Sequence, residues 1–317
     1  MTMIPILETS NGRLYQADCL DFLQTIEAET VDLAFADPPF NLKKEYSSQI
    51  DDNLTPEEYL SWCEDWLSEM IRTLKPGGSL FLWNLPKWNI PLGAYLGEKL
   101  TFRHWITVDI KYSLPIAGRL YPSNYSLLYY VKGKRPAIFH PDRLPVPCCR
   151  HCSGELRDYG GYKNKMNPKG VSLSDVWTDI PPVRHAKYKK RSANALSLKL
   201  MDRILTIASD PGSVVLDPFG GSGTTFAAAE LLDRQWVGSE LNCSDILDRF
   251  NNLDGDLEHL KDIHHNKNIL FTEADIKKRI KSGKPFSENY RIEQPEPLQI
   301  KEPGNITSEQ KELFSTT

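Results

Sequence analysis

A chain of 317 residues that is 40% hydrophobic and 25% charged has enough apolar content for one large core and a modest second lobe. It contains no apolar run of the roughly eighteen residues that a membrane helix needs and no signal-peptide pattern in residues 1–11, so we expect a cytoplasmic protein with no membrane partner. The six cysteines are scattered, so we expect reduced thiols. The net charge of −4 is uneven: residues 131–203 carry 16 Lys and Arg against 6 Asp and Glu, a pattern that favours a phosphate-binding surface, although a solvated face would have the same composition.

Strands and helices alternate along the first part of the chain. In chain order the predicted elements are strand 13–15, helix 20–26, strand 31–36, helix 53–74, strand 79–83 and strand 124–131. Thr55 can cap the long helix, with Pro56 in its first turn and Glu58 completing a capping box, and the run Lys75-Pro76-Gly77-Gly78 is predicted to end it. This rhythm predicts an α/β fold with a mostly parallel sheet.

In the second part of the chain, the sequence predicts an insertion, after which the alternation of helices and strands resumes. Apolar periodicity fades over residues 132–184, which we interpret as an inserted lobe, and it returns with a helical face at residues 198–208 and a strand at 213–216. Residues 1–131 and 185–252 are therefore predicted to be two halves of one domain, and the polar residues 253–317 a partly flexible extension.

A glycine-rich loop follows the strand at residues 213–216. The loop is Asp217-Pro218-Phe219-Gly220-Gly221-Ser222-Gly223-Thr224-Thr225, and it precedes an Ala-rich helix. Glycines permit a sharp bend and close approach to a ligand, and the Gly-Lys-Ser/Thr ending of a Walker loop is missing. Glu240 follows the next predicted strand and could accept hydrogen bonds from a ribose. A plain glycine turn with a surface Glu is the alternative.

A second loop, Asp37-Pro38-Pro39-Phe40, follows the strand at residues 31–36. Two prolines fix the backbone and remove two donors, so a carbonyl there can face a ligand. The Asp37 carboxylate and the Pro38 carbonyl could accept the two hydrogens of an adenine amino group and raise the electron density on its nitrogen, while Phe40 offers a stacking face. Taken alone, the tetrapeptide is more often a turn than a site. Ligands bind at the carboxyl ends of strands, so we expect both loops to share one cleft.

Together the two loops resemble the motifs of the amino-methylating DNA methyltransferases, in the order of their beta group, over residues 13–250. The resemblance implies an S-adenosylmethionine-dependent methyltransferase fold: a mostly parallel twisted sheet with helices on both faces, a permuted motif order and an inserted target-recognition lobe. Residues 1–131 would then be the catalytic half and residues 185–252 the cofactor-binding half.

The resemblance also implies the roles of individual residues. The catalytic residues would be Asp37, Pro38, Pro39 and Phe40. The residues that bind S-adenosylmethionine would be Asp18, Asp217, Phe219, Gly221, Ser222, Gly223, Thr224 and Glu240. Asp in the first position of the tetrapeptide favours adenine N6 over cytosine N4, since family members with Ser there tend to modify cytosine.

The expected substrate is double-stranded DNA, from which the target base is flipped. A bacterial restriction-modification system with a cognate endonuclease would be the setting, and the enzyme would be a monomer or homodimer. Methylation of cytosine N4 or of an RNA adenine, a catalytically silent DNA-binding protein and a small-molecule methyltransferase are the alternatives.

The predicted lobe contains a cysteine cluster and a group of cations. Cys149 and Cys152 form a Cys-x-x-Cys pair, which is half of a structural zinc site, and Cys148, His151, His140 or His185 would have to complete it. No second Cys-x-x-Cys pair is present, and ordinary reduced thiols are the alternative. Lys163, Lys165, Lys169 and Arg184 are the candidate phosphate contacts.

Overall fold

The computed structural model describes residues 3–42, 53–109, 123–144, 171–181 and 196–266, with a few single residues elsewhere. The strands are β1 (Leu7–Glu8), β2 (Gly12–Gln16), β3 (Val31–Ala36), β4 (Leu74–Asn84), β5 (Thr101–Asp109), β6 (Asn124–Val131), β7 (Arg143–Leu144), β8 (Val171–Ser172), β9 (Val176–Trp177), β10 (Val214–Asp217) and β11 (Gln235–Glu240). The helices are α1 (Cys19–Thr25), α2 (Pro56–Thr73), α3 (Pro86–Gly97), α4 (Leu198–Ala208), α5 (Thr224–Leu231), α6 (Ser244–Phe250) and α7 (Asp254–Asn266).

Nine of these strands form one sheet in the order β1-β2-β11-β10-β3-β4-β6-β5-β9. The central run from β2 to β4 is parallel throughout, as is the pair β5–β9, whereas β1 and β6 run antiparallel to their neighbours. The expected mostly parallel sheet is therefore confirmed. The antiparallel position of β6 was not part of the sequence prediction.

Helices cover both faces of the sheet, as expected. Val237 in β11 faces the apolar cluster that α1, α2 and α3 form, whereas the preceding residue, Trp236, stacks on Phe226 of α5 with ring centroids 5.0 Å apart. Successive residues of a strand point to opposite faces, so α5 lies on the face opposite to α1 and α2.

Both ends of α2 agree with the sequence prediction, but the segment that follows the helix does not form a separate turn. Thr55 accepts from the Glu58 amide and the Glu58 side chain accepts from the Thr55 amide, which is the predicted capping box. The helix ends at Thr73, and residues 75–78 belong to β4 rather than to a separate turn. Leu74 already pairs with Val31, and the Gly77 amide donates to the Lys132 carbonyl at 2.6 Å, so backbone pairing joins this segment to the sheet.

Helix α3 and strands β5 and β9 were not predicted. Strand β9 lies within the predicted lobe 132–184, yet it pairs with β5 of the main sheet. Of the described residues, those up to Phe139 and from Asp175 to Leu257 form one compact unit, and those of 140–174 and from 258 onward form a second. Strands β7 and β8 pair with each other in the second unit. The predicted domain boundaries stay predictions.

The residues after 252 begin with ordered structure. Arg249 at the end of α6 binds Asp256 through two hydrogen bonds of 2.6 and 3.1 Å, and Leu253 and Leu257 are buried. The first part of the predicted extension is therefore the helix α7, and residues 284–317 lie outside the described part. No helix among the described residues is long and apolar enough to cross a membrane.

The packing around Gly238 generates a stability prediction. Gly238 pairs with Asp217 across β10 and β11, and a Cβ there would lie 2.2 Å from Phe226 and 2.4 Å from the Asp217 carbonyl oxygen. We expect Gly238→Ala to lower the free energy of unfolding by about 1–3 kcal/mol, because the neighbours must shift. Urea unfolding measures this change.

Gly97→Ala is the matched control for that measurement. A Cβ at Gly97, the last residue of α3, would meet no atom of the described residues within 4 Å, so we expect the unfolding midpoint of Gly97→Ala to match that of the parent protein. Equal midpoints for Gly238→Ala and Gly97→Ala would contradict the tight packing behind Asp217.

Candidate functional site

The catalytic and cofactor loops meet at one edge of the sheet. Strand β3 lies beside β10 in parallel, with Leu216 paired with Ala34. Asp37, which follows β3, and Asp217, the last residue of β10, therefore lie at the same edge. The two carboxyl groups are close enough for the Asp217 charge to raise the pKa of Asp37. The structure thus brings together the two loops that the sequence analysis assigned to one cleft.

Asp37 is held in an environment that disfavours its charge. Burial raises its pKa well above the ordinary value, and the Asp217 charge adds to the effect. Within the described ranges, no side chain or amide donates to the Asp37 carboxylate or to the Pro38 carbonyl. Two hydrogen-bond acceptors with unused capacity therefore lie side by side.

The next two carbonyls of the catalytic loop are engaged by the protein. The Tyr59 hydroxyl of α2 donates to the Pro39 carbonyl at 2.7 Å, and the Trp88 indole of α3 donates to the Phe40 carbonyl at 2.8 Å. These bonds leave Pro38 as the carbonyl that is available for a ligand.

An aromatic group stands beside Asp37. The Phe40 ring lies 5.8 Å from that of Tyr125 in β6, which lies 4.9 Å from that of Trp83 in β4. Burial and the nearby Asp37 carboxylate raise the pKa of the Tyr125 hydroxyl. A planar ligand that bound beside Asp37 would therefore find aromatic surfaces next to the two acceptors.

Asp217 anchors the start of the glycine loop. Its carboxylate accepts from the Phe219 amide at 2.9 Å, and only 1% of the residue is exposed. Burial raises its pKa to about 7 in spite of hydrogen bonds from Thr225 and Phe219, and the Glu240 charge adds to the rise. Asp37 and Asp217 thus form an acidic pair, and a cationic ligand beside it would stabilise the ionised form of the two carboxyl groups.

The backbone of the glycine loop has space for a ligand beside Gly221. Its φ of +52° is left-handed, and its amide donates to Glu240 at 2.8 Å. Among the described residues, a Cβ at Gly221 would meet only the Phe219 carbonyl oxygen, at 3.9 Å, whereas a Cβ at Gly220 would lie 2.6 Å from Phe226. Gly220 is thus required by packing, and Gly221 has room beside it within the described part of the protein.

Glu240 is the last residue of β11, and Asp18 follows the neighbouring parallel strand β2. The Glu240 carboxylate accepts from the amides of Gly221, Leu241 and Asn242, and burial raises its pKa. The Asp18 side chain is exposed and caps α1 by accepting from the Leu20 amide. Both carboxylates lie at the same edge of the sheet as Asp217.

The remaining predicted loop residues face the protein. Ser222 and Thr224 are buried, and the Thr224 hydroxyl accepts from Arg249 at 2.6 Å. Arg249 also donates to the Ser222 carbonyl at 3.1 Å, so it ties the loop to α6. Gly223 precedes α5 in the left-handed conformation. Ser222 and Thr224 thus support the shape of the loop.

The sequence analysis missed the residues of α2 that contact both loops. Trp66 and Trp62 pack edge-on against Phe219 with ring centroids 5.0 and 5.8 Å apart, and Tyr59 binds the catalytic loop. Their spacing of three and four residues places them on one face of a helix, and this aromatic stripe was a signal available in the sequence.

Several predicted site residues lie outside the described residues. These are Cys148, Cys149, His151, Cys152, Lys163, Lys165, Lys169 and Arg184. The part of the chain that is described contains no group of three or more His, Cys, Asp or Glu side chains able to hold a metal ion. The zinc site and the phosphate contacts stay predictions.

Comparison with known proteins gives consistent matches. Residues 31–246 match a family model described as DNA methylase. The chain is 54% identical over 288 residues to the Type II methyltransferase M.BamHI of Bacillus amyloliquefaciens, a match that covers 90% of this chain and 68% of that protein. It is 32% identical over 235 residues to the DNA adenine methyltransferase YhdJ of Escherichia coli K12, over 72% and 78% of the two chains.

Among solved structures, the fold is similar to that of the PvuII DNA methyltransferase, described as cytosine-N4-specific. The TM-score is 0.57 at 19% identity, over 90% of this chain and 98% of that chain. A putative DNA modification methylase from Thermus thermophilus, solved with S-adenosyl-L-methionine, gives a TM-score of 0.51 at 19% identity, over 78% and 94% of the chains. The predicted methyltransferase fold is confirmed.

The acidic pair generates a prediction about pH. A carboxyl with a raised pKa in the folded state keeps its proton there after the unfolded chain has lost it, so the free energy of unfolding falls as the pH rises. For Asp217 this fall spans the window from its ordinary pKa of 3.8 to about 7. It amounts to at most about 4 kcal/mol, at 1.36 kcal/mol per pKa unit.

We therefore expect Asp217→Asn to lose less stability than the parent protein between pH 4 and pH 8. Urea unfolding at both pH values measures the difference. Asp21→Asn, which changes an exposed carboxyl on α1, is expected to follow the parent protein. A parallel pH dependence for Asp217→Asn and the parent protein would contradict the proposed protonation of Asp217.

Proposed function

The chain belongs to the N6/N4 DNA methylase family, and from that premise we propose that it transfers a methyl group from S-adenosylmethionine to an exocyclic amino nitrogen of a base in duplex DNA. The observation that carries the proposal is the pair of free acceptors, the Asp37 carboxylate and the Pro38 carbonyl. They lie at the sheet edge that also holds the glycine loop. An exocyclic amino group presents two hydrogens, which this pair matches.

The residues around the glycine loop fit S-adenosylmethionine. The space beside Gly221 and the carboxylate of Glu240 suit a ribose, and Asp37 and Asp217 suit a positively charged sulfur. Asp18, which the family resemblance assigns to the cofactor adenine, is the proposed partner of its amino group. When bound, this cofactor supplies a methyl group on a sulfonium, which is a strong electrophile.

Asp37 and Pro38 act on the target base. By accepting the two amino hydrogens they raise the electron density on a nitrogen whose lone pair is otherwise delocalised into the ring. The nitrogen carries a positive charge once it gains a methyl group, and it must then lose one proton. The Asp37 carboxylate is placed to take that proton, because burial and the Asp217 charge raise its pKa.

The target base must leave the DNA helix to reach this site, since an amino nitrogen in a stacked duplex cannot enter a pocket. The Phe40 ring, beside Tyr125, provides a surface on which the flipped base can stack. The proposed phosphate contacts, Lys163, Lys165, Lys169 and Arg184, and the proposed zinc ligands lie outside the described residues.

We propose adenine N6 as the target atom, because Asp37 occupies the first position of the tetrapeptide. The adenine methyltransferase YhdJ is among the relatives. Cytosine N4 is the second candidate, because its amino group presents the same two hydrogens to Asp37 and Pro38. The relation to type II methyltransferases such as M.BamHI supports a place in a restriction-modification system, with an endonuclease of the same specificity.

Incubation with tritiated S-adenosylmethionine and duplex DNA of mixed sequence, followed by nucleoside chromatography, tests this proposal. Label in N6-methyldeoxyadenosine is the expected result. Label in N4-methyldeoxycytidine would keep the site chemistry and replace the target base. Label in RNA or in a small molecule, or no label in any substrate, would contradict the proposed function.

The role of Asp37 gives a second prediction. We expect Asp37→Ala to lower the rate of methyl transfer by at least about 100-fold, the order found when one stabilising group is removed from an active site. S-adenosylmethionine binding, measured by calorimetry, should weaken far less than the rate, because Asp217 and Glu240 remain in place. Asp21→Ala is the control, since it removes an exposed carboxylate on α1. Full activity of Asp37→Ala would overturn the mechanism.

The role of Glu240 gives a third prediction. Glu240→Ala removes the acceptor for the Gly221 amide and the proposed ribose contact, so we expect the Kd for S-adenosylmethionine to rise at least about 10-fold, or 1.4 kcal/mol. Glu230→Gln alters another buried carboxylate, bound to Thr9 and Trp236 near the far end of α5, and should leave the Kd unchanged. Equal Kd values for the two variants would remove Glu240 from the cofactor site.

A further inference from the structure

We propose that Tyr59 and Asn84 are positioning residues, which hold the Asp37–Phe40 loop in the form that presents the Asp37 carboxylate and the Pro38 carbonyl to the target amino group. This inference rests on the proposed function. Neither residue belongs to the motifs by which the two loops were found.

The catalytic loop needs external donors because it lacks its own. Pro38 and Pro39 have no amide hydrogen, so neither residue can form a backbone turn bond as a donor. The loop is held instead through its carbonyl groups: Tyr59 donates to Pro39 at 2.7 Å, and Trp88 donates to Phe40 at 2.8 Å. The two bonds fix which carbonyls point into the protein.

Asn84 determines the direction of the Tyr59 hydroxyl. Asn84 is fully buried at the end of β4, and its Oδ1 accepts from the Leu85 amide at 2.7 Å. An amide N–H only donates, so this bond fixes the side-chain orientation and leaves Nδ2 to donate to the Tyr59 oxygen at 3.0 Å. The hydroxyl has one proton, and Asn84 Nδ2 cannot accept it.

The Tyr59 proton is therefore directed to the Pro39 carbonyl. The Cys63 thiol, one turn further along α2, is also within reach of Tyr59, but sulfur is a weaker acceptor than a carbonyl oxygen. A chain of donors thus runs from Asn84 through Tyr59 to Pro39 and ends one residue from the Pro38 carbonyl.

The same face of α2 reaches the second loop. Trp62 contacts Tyr59 with ring centroids 5.8 Å apart, and Trp62 and Trp66 both pack against Phe219 of the glycine loop. A shift of Tyr59 would alter the spacing between the acceptor pair and the proposed cofactor site. Misplacement of reacting groups by about 1 Å can cost on the order of 100-fold in rate.

The variant Tyr59→Phe tests the inference, because it keeps the ring and removes only the donor. We expect kcat for methyl transfer to fall at least about 10-fold, while the Kd for S-adenosylmethionine stays within about 2-fold. Tyr130→Phe is the matched control: its hydroxyl also donates to a carbonyl at 2.7 Å, that of Gly93 in α3, and its kcat is expected to remain unchanged.

A second measurement separates positioning from general stability. Hydrogen exchange of the Phe40 and Asn41 amides should accelerate in Tyr59→Phe and not in Tyr130→Phe, at a temperature where both variants are folded. If Tyr59 had only a structural role, Tyr59→Phe and Tyr130→Phe would have similarly lowered unfolding midpoints, and the kcat and the amide exchange of the catalytic loop would be unchanged. That result would overturn the inference.

The direction of the donor chain is tested with Asn84→Asp. A carboxylate at this position accepts the Tyr59 proton and withdraws it from Pro39, so kcat is expected to fall as in Tyr59→Phe, and the double variant should be no slower than the slower single variant. If the fall in kcat of the double variant were the product of the falls in the two single variants, Asn84 and Tyr59 would not act through one chain of donors. Failure of the parent protein to methylate DNA would overturn the proposed function, whereas an active parent with an equally active Tyr59→Phe would overturn only this inference.

Discussion

The parallel pairing of β3 with β10 is the constraint on which the rest of the site depends. Parallel neighbours open at the same edge of a sheet, so two loops that are distant in the sequence become adjacent. The pairing also places Asp37 and Asp217 close together in a setting where burial disfavours the charge of both carboxyl groups. An edge of this kind would accommodate a cation and an amino group side by side, and the DNA methylase family matches that chemistry.

The two prolines of the catalytic loop have a further consequence. They make the backbone rigid, but they also remove the amides with which a loop usually holds itself. The loop therefore depends on donors from other elements, and Tyr59 and Trp88 supply them. Helix α2 is joined to the glycine loop through its tryptophans as well, so one helix face contacts both parts of the site.

Much of the site could be predicted from the sequence, because the decisive residues are of types that restrict the backbone locally. The Asp-Pro-Pro-Phe tetrapeptide, the glycine loop and the capping box at Thr55 fall into this class. Helix α3 could not be predicted, since Pro91 within it argues against a helix and only packing overrides that signal. The two-residue strand β9 has no pattern of its own, and the bonds that hold the catalytic loop join residues remote in sequence, which no periodicity indicates.

A crystal structure of the protein with S-adenosylhomocysteine is the most direct measurement of whether the two loops form one site. We expect the ribose hydroxyl groups on Glu240, the ligand sulfur between the Asp37 and Asp217 loops, and the Pro39 carbonyl still bound to Tyr59. A ligand bound away from this edge, or a ligand at the glycine loop whose sulfur is directed away from Asp37, would contradict the account.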